Sequence, residues 1–101
     1  MQMLLNILYW NMKAAVQGDA RAQFSVGYEL FKGGIVGVKK DKVTGMAWIK
    51  IGIGNGFPPK GISNPLIVDF PKEMTPEQTT KAEALVKEMI KKNPNLIQKK
   101  E

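Results

Sequence analysis

Five glycines fall between Val26 and Trp48, at 27, 33, 34, 37 and 45, in a stretch whose apolar residues otherwise recur at helical spacing. A glycine inside a helix costs about 1 kcal/mol relative to alanine. A chain of 101 residues holds one modest core and has little stability to lose. Glycines at this density therefore mark where helices stop or where two backbones touch. The chain reads as all-α, a single domain of about four short helices punctuated by glycine.

Helical periodicity places the first helix over 2–17, with Leu5, Leu8, Met12 and Ala15 on one face and Ile7, Trp10 and Ala14 on a second. Gly18 stops it, and Asp19 is a good N-cap for the next helix, 19–32. Ala20, Phe24, Gly27 and Phe31 form its core stripe, with Gly27 admitting a neighbouring backbone. Asp41 caps a third helix over 41–54. Residues 57–74 hold four prolines and read as a long irregular loop, in which 66–70 can pack down as an extended piece. Thr75–Pro76–Glu77–Gln78 is a capping box opening a last helix over 75–92, which Pro94 ends. Residues 93–101 form a tail, of which 95–101 are expected to fray.

The chain is also similar to itself. Residues 10–18, WNMKAAVQG, and 48–56, WIKIGIGNG, share a tryptophan and a glycine at an offset of 38 residues. Fixed offsets of this size are the mark of helical repeats. The spacing of Ala20, Ala22, Gln23, Val26, Gly27, Leu30, Gly33, Gly37, Val38, Asp41, Gly45, Trp48 and Gly56 resembles the Sel-one-like repeat, a relative of the tetratricopeptide repeats. The resemblance spans about 10–56, with residues 74–90 similar to the helix that closes such arrays. It departs from the family in three places. The segment 33–38 is two residues longer, Gly52 and Ile53 replace an alanine pair, and no new repeat follows Gly56. The resemblance implies a short right-handed solenoid of αα-hairpins, with Trp48 at the seam between units. It also implies a bacterial-type adaptor or regulatory protein, with immunity proteins that neutralise toxins among the compact members.

Composition narrows the chemistry. The chain has no cysteine and no histidine, which removes disulfides, thiol nucleophiles, imidazole catalysis and nearly every zinc site. Ser25, Ser63 and the other hydroxyls lack an activating base of that kind. Asp69 and Glu73 read as a charged loop edge, and the GIGNG of 52–56 lacks the flanking strand and Lys-Ser/Thr of a phosphate loop. The expectation is a non-enzyme without metal or cofactor. The net charge of +6 comes from 14 lysines and one arginine against nine acids. Scattered lysines fit a solvated surface, an acidic protein partner or, less well with Arg21 alone, nucleic acid or another anionic surface. The apolar stretch 1–10 lacks a basic lead and a cleavage site, and is too short to span a bilayer. Cysteine-free chains occur in cytoplasm and periplasm alike; the cytoplasm is favoured as written, the periplasm if a signal peptide was removed.

The expected function is protein–protein binding. Arg21, Ser25, Tyr28 and Lys32 form a polar stripe on the second helix, and the resemblance implies that such helices line the concave, partner-bearing side. An ordinary solvated helix face accounts for the same stripe. Leu4, Ile7, Leu8 and Trp10 form a second candidate face, for a partner or a second copy, because the first helix is apolar on two sides. The loop 57–74, or a segment of chain outside this sequence, covering them is the competing account.

Overall fold

The computed structural model describes residues 2–33, 39–57 and 70–97; the side chains of 2–7, Phe70 and Pro71 are outside what it describes. The described residues form four α-helices: α1 (Gln2–Val16), α2 (Ala20–Lys32), α3 (Lys42–Gly54) and α4 (Pro76–Lys92). Two 3₁₀ turns, Phe70–Glu73 and Pro94–Leu96, flank α4, and no strand occurs among the described residues.

Each junction follows from local chemistry. Gly18, at φ 99°, and Asp19 turn α1 into α2, where the Asp19 carboxylate accepts from the Ala22 N–H at 2.9 Å. Gly33 ends α2 in the left-handed region at φ 70° and donates to the Glu29 carbonyl. Residues 34–38, the rest of the expected glycine turn, lie outside the described residues. The chain returns at Asp41, whose N–H donates to the Leu30 carbonyl at 2.8 Å. The Asp41 carboxylate accepts from both the backbone N–H and the hydroxyl of Thr44. At α4 the capping box is complete, with Thr75 and Gln78 exchanging hydrogen bonds of 3.0 and 3.1 Å.

Helices α2 and α3 run antiparallel, and glycine sets their separation. A Cβ on Gly27 would sit 2.5 Å from the Gly45 carbonyl oxygen, and one on Gly45 would sit 2.7 Å from that of Gly27. One end of the interface is sealed the same way by Gly52 against the Ala20 carbonyl. Any side chain at these positions would force the backbones apart.

Two apolar clusters form around this pair. The first joins Ala15, Ala22, Val26, Trp48, Ile51 and Leu96, with Leu8, Met12, Val86 and Met89 packed on it. The second joins Phe24, Phe31, Met46, Ile49 and Ala82, with Tyr28, Val43, Phe57 and Met74 on its edge. Trp48 is buried where α1, α2 and the Pro94–Leu96 turn meet. Phe57 begins the expected loop by packing its ring, tilted, against that of Phe24, centroids 4.9 Å apart; residues 58–69 lie outside the described residues.

One expectation is overturned. Residues 95–97 do not fray: Asn93 caps a 3₁₀ turn, Pro94–Leu96, that delivers Leu96 into the core, 3% exposed. Helical periodicity ends at Pro94, so no pattern marks a lone aliphatic residue beyond it as core.

Candidate functional site

Three groups of residues are candidates, and the fold separates them. The first is on α1. Tyr9 and Trp10 are 55% and 64% exposed, the two most exposed large apolar side chains described. Their rings meet edge to face at 5.6 Å. Lys13 lies one turn on, its Nζ 4.9 Å from the Tyr9 centroid and 5.2 Å from that of Trp10. Helical spacing builds this cluster, since i, i+3 and i+4 positions are neighbours on a helix surface. An ammonium over two ring faces is held by their quadrupoles and stiffens the patch.

The expected α1 face of Leu4, Ile7, Leu8 and Trp10 is divided by the fold. Leu8 turns inward onto the first cluster, whereas Trp10 stands in solvent. The side chains of Leu4 and Ile7 lie outside the described residues. Tyr9 and Lys13 complete the outward surface and were missing from the sequence expectation; their i, i+4 spacing was the available signal.

The second group is the α2 stripe. Arg21 and Lys32 are exposed, and Ser25 and Tyr28 are half-buried. Tyr28 packs on the edge of the second cluster, so part of its ring already has a partner within the fold. Lys32 Nζ pairs with the Glu73 carboxylate at 3.2 Å, and Lys42 Nζ donates to the Glu73 backbone carbonyl. The 3₁₀ turn before α4 thus lies against one end of the stripe and neutralises part of its charge.

The third group is buried and polar. Gln23 is wholly buried and Asn55 is 7% exposed. The Gln23 Nε2 donates to the Ala15 carbonyl at 3.0 Å and to the Leu96 carbonyl at 2.8 Å. The Asn55 Nδ2 donates to Gln23 Oε1 at 2.8 Å and to the same Leu96 carbonyl at 2.7 Å. Nearby, the Asn93 side-chain amide donates to the Val16 carbonyl at 2.9 Å. Buried amides are stable only when their hydrogen bonds are made, and no described buried side-chain polar atom is left without one. Gln23 stood in the sequence only as a repeat position. Its place three residues after Ala20 and four before Gly27, inside an apolar stripe, was the signal of a buried amide.

Among the described residues, no group of three or more acidic, histidine or cysteine side chains is arranged to hold a metal ion. Among them, too, no helix is long and apolar enough to cross a membrane. Comparison of the chain with protein-family models, with curated proteins and with solved structures found no match.

Proposed function

We propose that this chain is a protein-binding module that acts by contact and carries out no reaction of its own. One observation carries the reading: the Tyr9–Trp10 pair stands more than half exposed on α1 with Lys13 laid over it. Tryptophan and tyrosine are the residues most enriched where binding energy concentrates. Rings already held by each other and by a lysine lose less entropy on contact than free ones. The resemblance of 10–56 to Sel-one-like repeats supports the same class, an adaptor or regulatory protein of the αα-hairpin solenoid kind. A toxin-neutralising immunity protein is its sharper form, since a net charge of +6 suits an acidic target. The α2 stripe is the secondary surface, with Arg21 as its unpaired-by-Glu73 end and Lys32 engaged by that carboxylate.

The test is affinity capture from the source cell with three baits: the parent, Tyr9→Ala/Trp10→Ala, and Arg21→Ala/Ser25→Ala. A partner held by the parent and the stripe variant, resistant to nuclease, and lost by the α1 variant is the expected result. Truncating two aromatic anchors should weaken binding by about 2 kcal/mol or more, roughly thirtyfold. Capture that is unchanged in the α1 variant, or that disappears with nuclease, overturns the reading. A lysine-driven nucleic-acid binder would show the latter, with steep weakening as salt rises.

A further inference from the structure

We propose that the corner holding Leu96 is a polypeptide-recognition slot, filled here by the chain's own segment 93–97. The inference does not depend on the α1 surface.

The segment is held by its backbone and by one side chain. Its central contact is main-chain: the Leu96 carbonyl accepts from Gln23 Nε2 at 2.8 Å and Asn55 Nδ2 at 2.7 Å. One amide comes from α2 and the other from the end of α3, and together they occupy both lone pairs of one oxygen. Both amides are aimed by contacts that do not involve the segment. Gln23 is anchored on the Ala15 carbonyl, and Asn55 on Gln23 Oε1. The donors are therefore set before any ligand arrives.

Only one side chain of the turn enters the core. Leu96 is buried among Ala15, Ala22, Val26, Trp48 and Ile51, while Pro94, Asn95 and Ile97 are exposed. Main-chain hydrogen bonds plus one side-chain pocket is the division of labour by which peptide grooves work, the first giving affinity and the second selectivity. Helix α4 has its own hold on the core through Ala82, Val86 and Met89, so the turn is an addition to its docking. If the turn leaves, two buried amides lose an acceptor, which is costly until another carbonyl replaces it.

The ligand class follows. The slot takes a polypeptide segment that presents a leucine-sized aliphatic side chain and, on the same residue, a carbonyl free of local hydrogen bonds. The segment whose fit is demonstrated is 93–97 itself, so the same sequence supplied from outside is the natural probe. Tethering gives the internal copy an effective concentration on the order of millimolar, which shuts out weak competitors.

The experiment uses the full chain carrying Leu96→Asp, whose own segment cannot seat, and a fluorescent peptide of residues 93–101, NPNLIQKKE. The variant should bind this peptide at least about tenfold more tightly than the parent does. A peptide with aspartate in place of its leucine should not bind. Adding Gln23→Leu to the variant should weaken binding about tenfold, the worth of one buried hydrogen bond. Should Leu96→Asp prove loosely folded, the peptide should still raise its melting temperature by mass action, and the aspartate peptide should not. A variant that neither binds nor is restabilised sinks the proposal. So does binding that ignores the leucine or survives Gln23→Leu unchanged.

Discussion

The α2–α3 interface and the corner where α1 meets residues 93–97 solve the same problem by opposite means. Between α2 and α3 the contact is backbone on backbone, made possible by the absence of side chains at Gly27, Gly45 and Gly52. At the corner the contact is side chain on backbone, made by the amides of Gln23, Asn55 and Asn93. At its glycine contacts the first interface has little to adjust, because the two backbones meet there with no side chain from the glycines between them. The second is built of rotatable groups with alternative partners in water. The more adjustable contacts therefore lie at the corner, where the recognition slot is proposed, and the glycine contacts fix the central pair.

The sharpest way to break the comparison is at Gly27. Gly27→Val should cost about 3 kcal/mol or more, because its Cβ alone would meet the Gly45 carbonyl and the Ile49 side chain and backbone. Gly54→Ala should do the reverse. That helical position has nothing within 4 Å of a Cβ, so the substitution should stabilise by about 0.5 kcal/mol through helix propensity. Urea titration of the two variants checks both. Stabilisation by both would mean that the glycines act through propensity alone and not through close approach.

Next in size is Gln23→Leu, at about 2 kcal/mol. It leaves the Ala15 carbonyl with the Gly18 N–H alone, removes one of the two donors to the Leu96 carbonyl, and takes away the Oε1 that accepts from Asn55. A double variant with Asn55→Leu should cost less than the sum of the two single changes, since the groups share a network. Strict additivity would show that the amides act separately.

These two regions also divide what could be read in advance. The glycine interface was legible: Gly27 fell in an apolar helical stripe, and a glycine there has few uses other than close approach. Caps at Asp19, Asp41 and Thr75 were legible because each is a local hydrogen bond between residues three apart. The corner was not. Its bonds join residues as far apart as 23 and 96, and helical periodicity carries no information across such a separation. Leu96 lay beyond a proline, where patterning ends, and was expected to fray with its neighbours. The α1 face was half legible, because two apolar sides declare an amphipathic conflict without saying which side the core takes.

A smaller effect, near 1 kcal/mol, is expected at Asp41, the cap that starts the second half of the central pair. Asp41→Ala removes the acceptor for the Thr44 N–H. The same bond is the largest cause holding the Asp41 carboxyl below the ordinary aspartate value; burial opposes it, and the Thr44 hydroxyl, the Val43 N–H and the charge of Lys39 add smaller lowering effects. A carboxyl whose folded pKa is lowered stabilises the fold above its unfolded value, near 4, and that contribution disappears as pH falls through the folded value. Melting curves between neutral pH and about pH 2.5 should therefore fall less steeply in Asp41→Asn, which keeps a cap but cannot titrate. An identical acid limb in the variant would remove Asp41 from the account.

The smallest effect on stability is the most informative about function. Trp10→Ala should change the unfolding free energy by no more than about 0.5 kcal/mol, because the ring touches only Tyr9 and Lys13 among the contacts described and is mostly in solvent. Trp48→Ala, which empties the core junction, should cost about 3–5 kcal/mol. The two tryptophans sit 38 positions apart in matching segments, yet one seals the core and the other faces out. Acrylamide should quench Trp10 fluorescence strongly in the free chain and leave Trp48 nearly untouched, and a bound partner should protect Trp10 alone. Were Trp10→Ala as damaging as Trp48→Ala, the outer ring would belong to the core, and the reading of α1 as a contact surface would lose its ground.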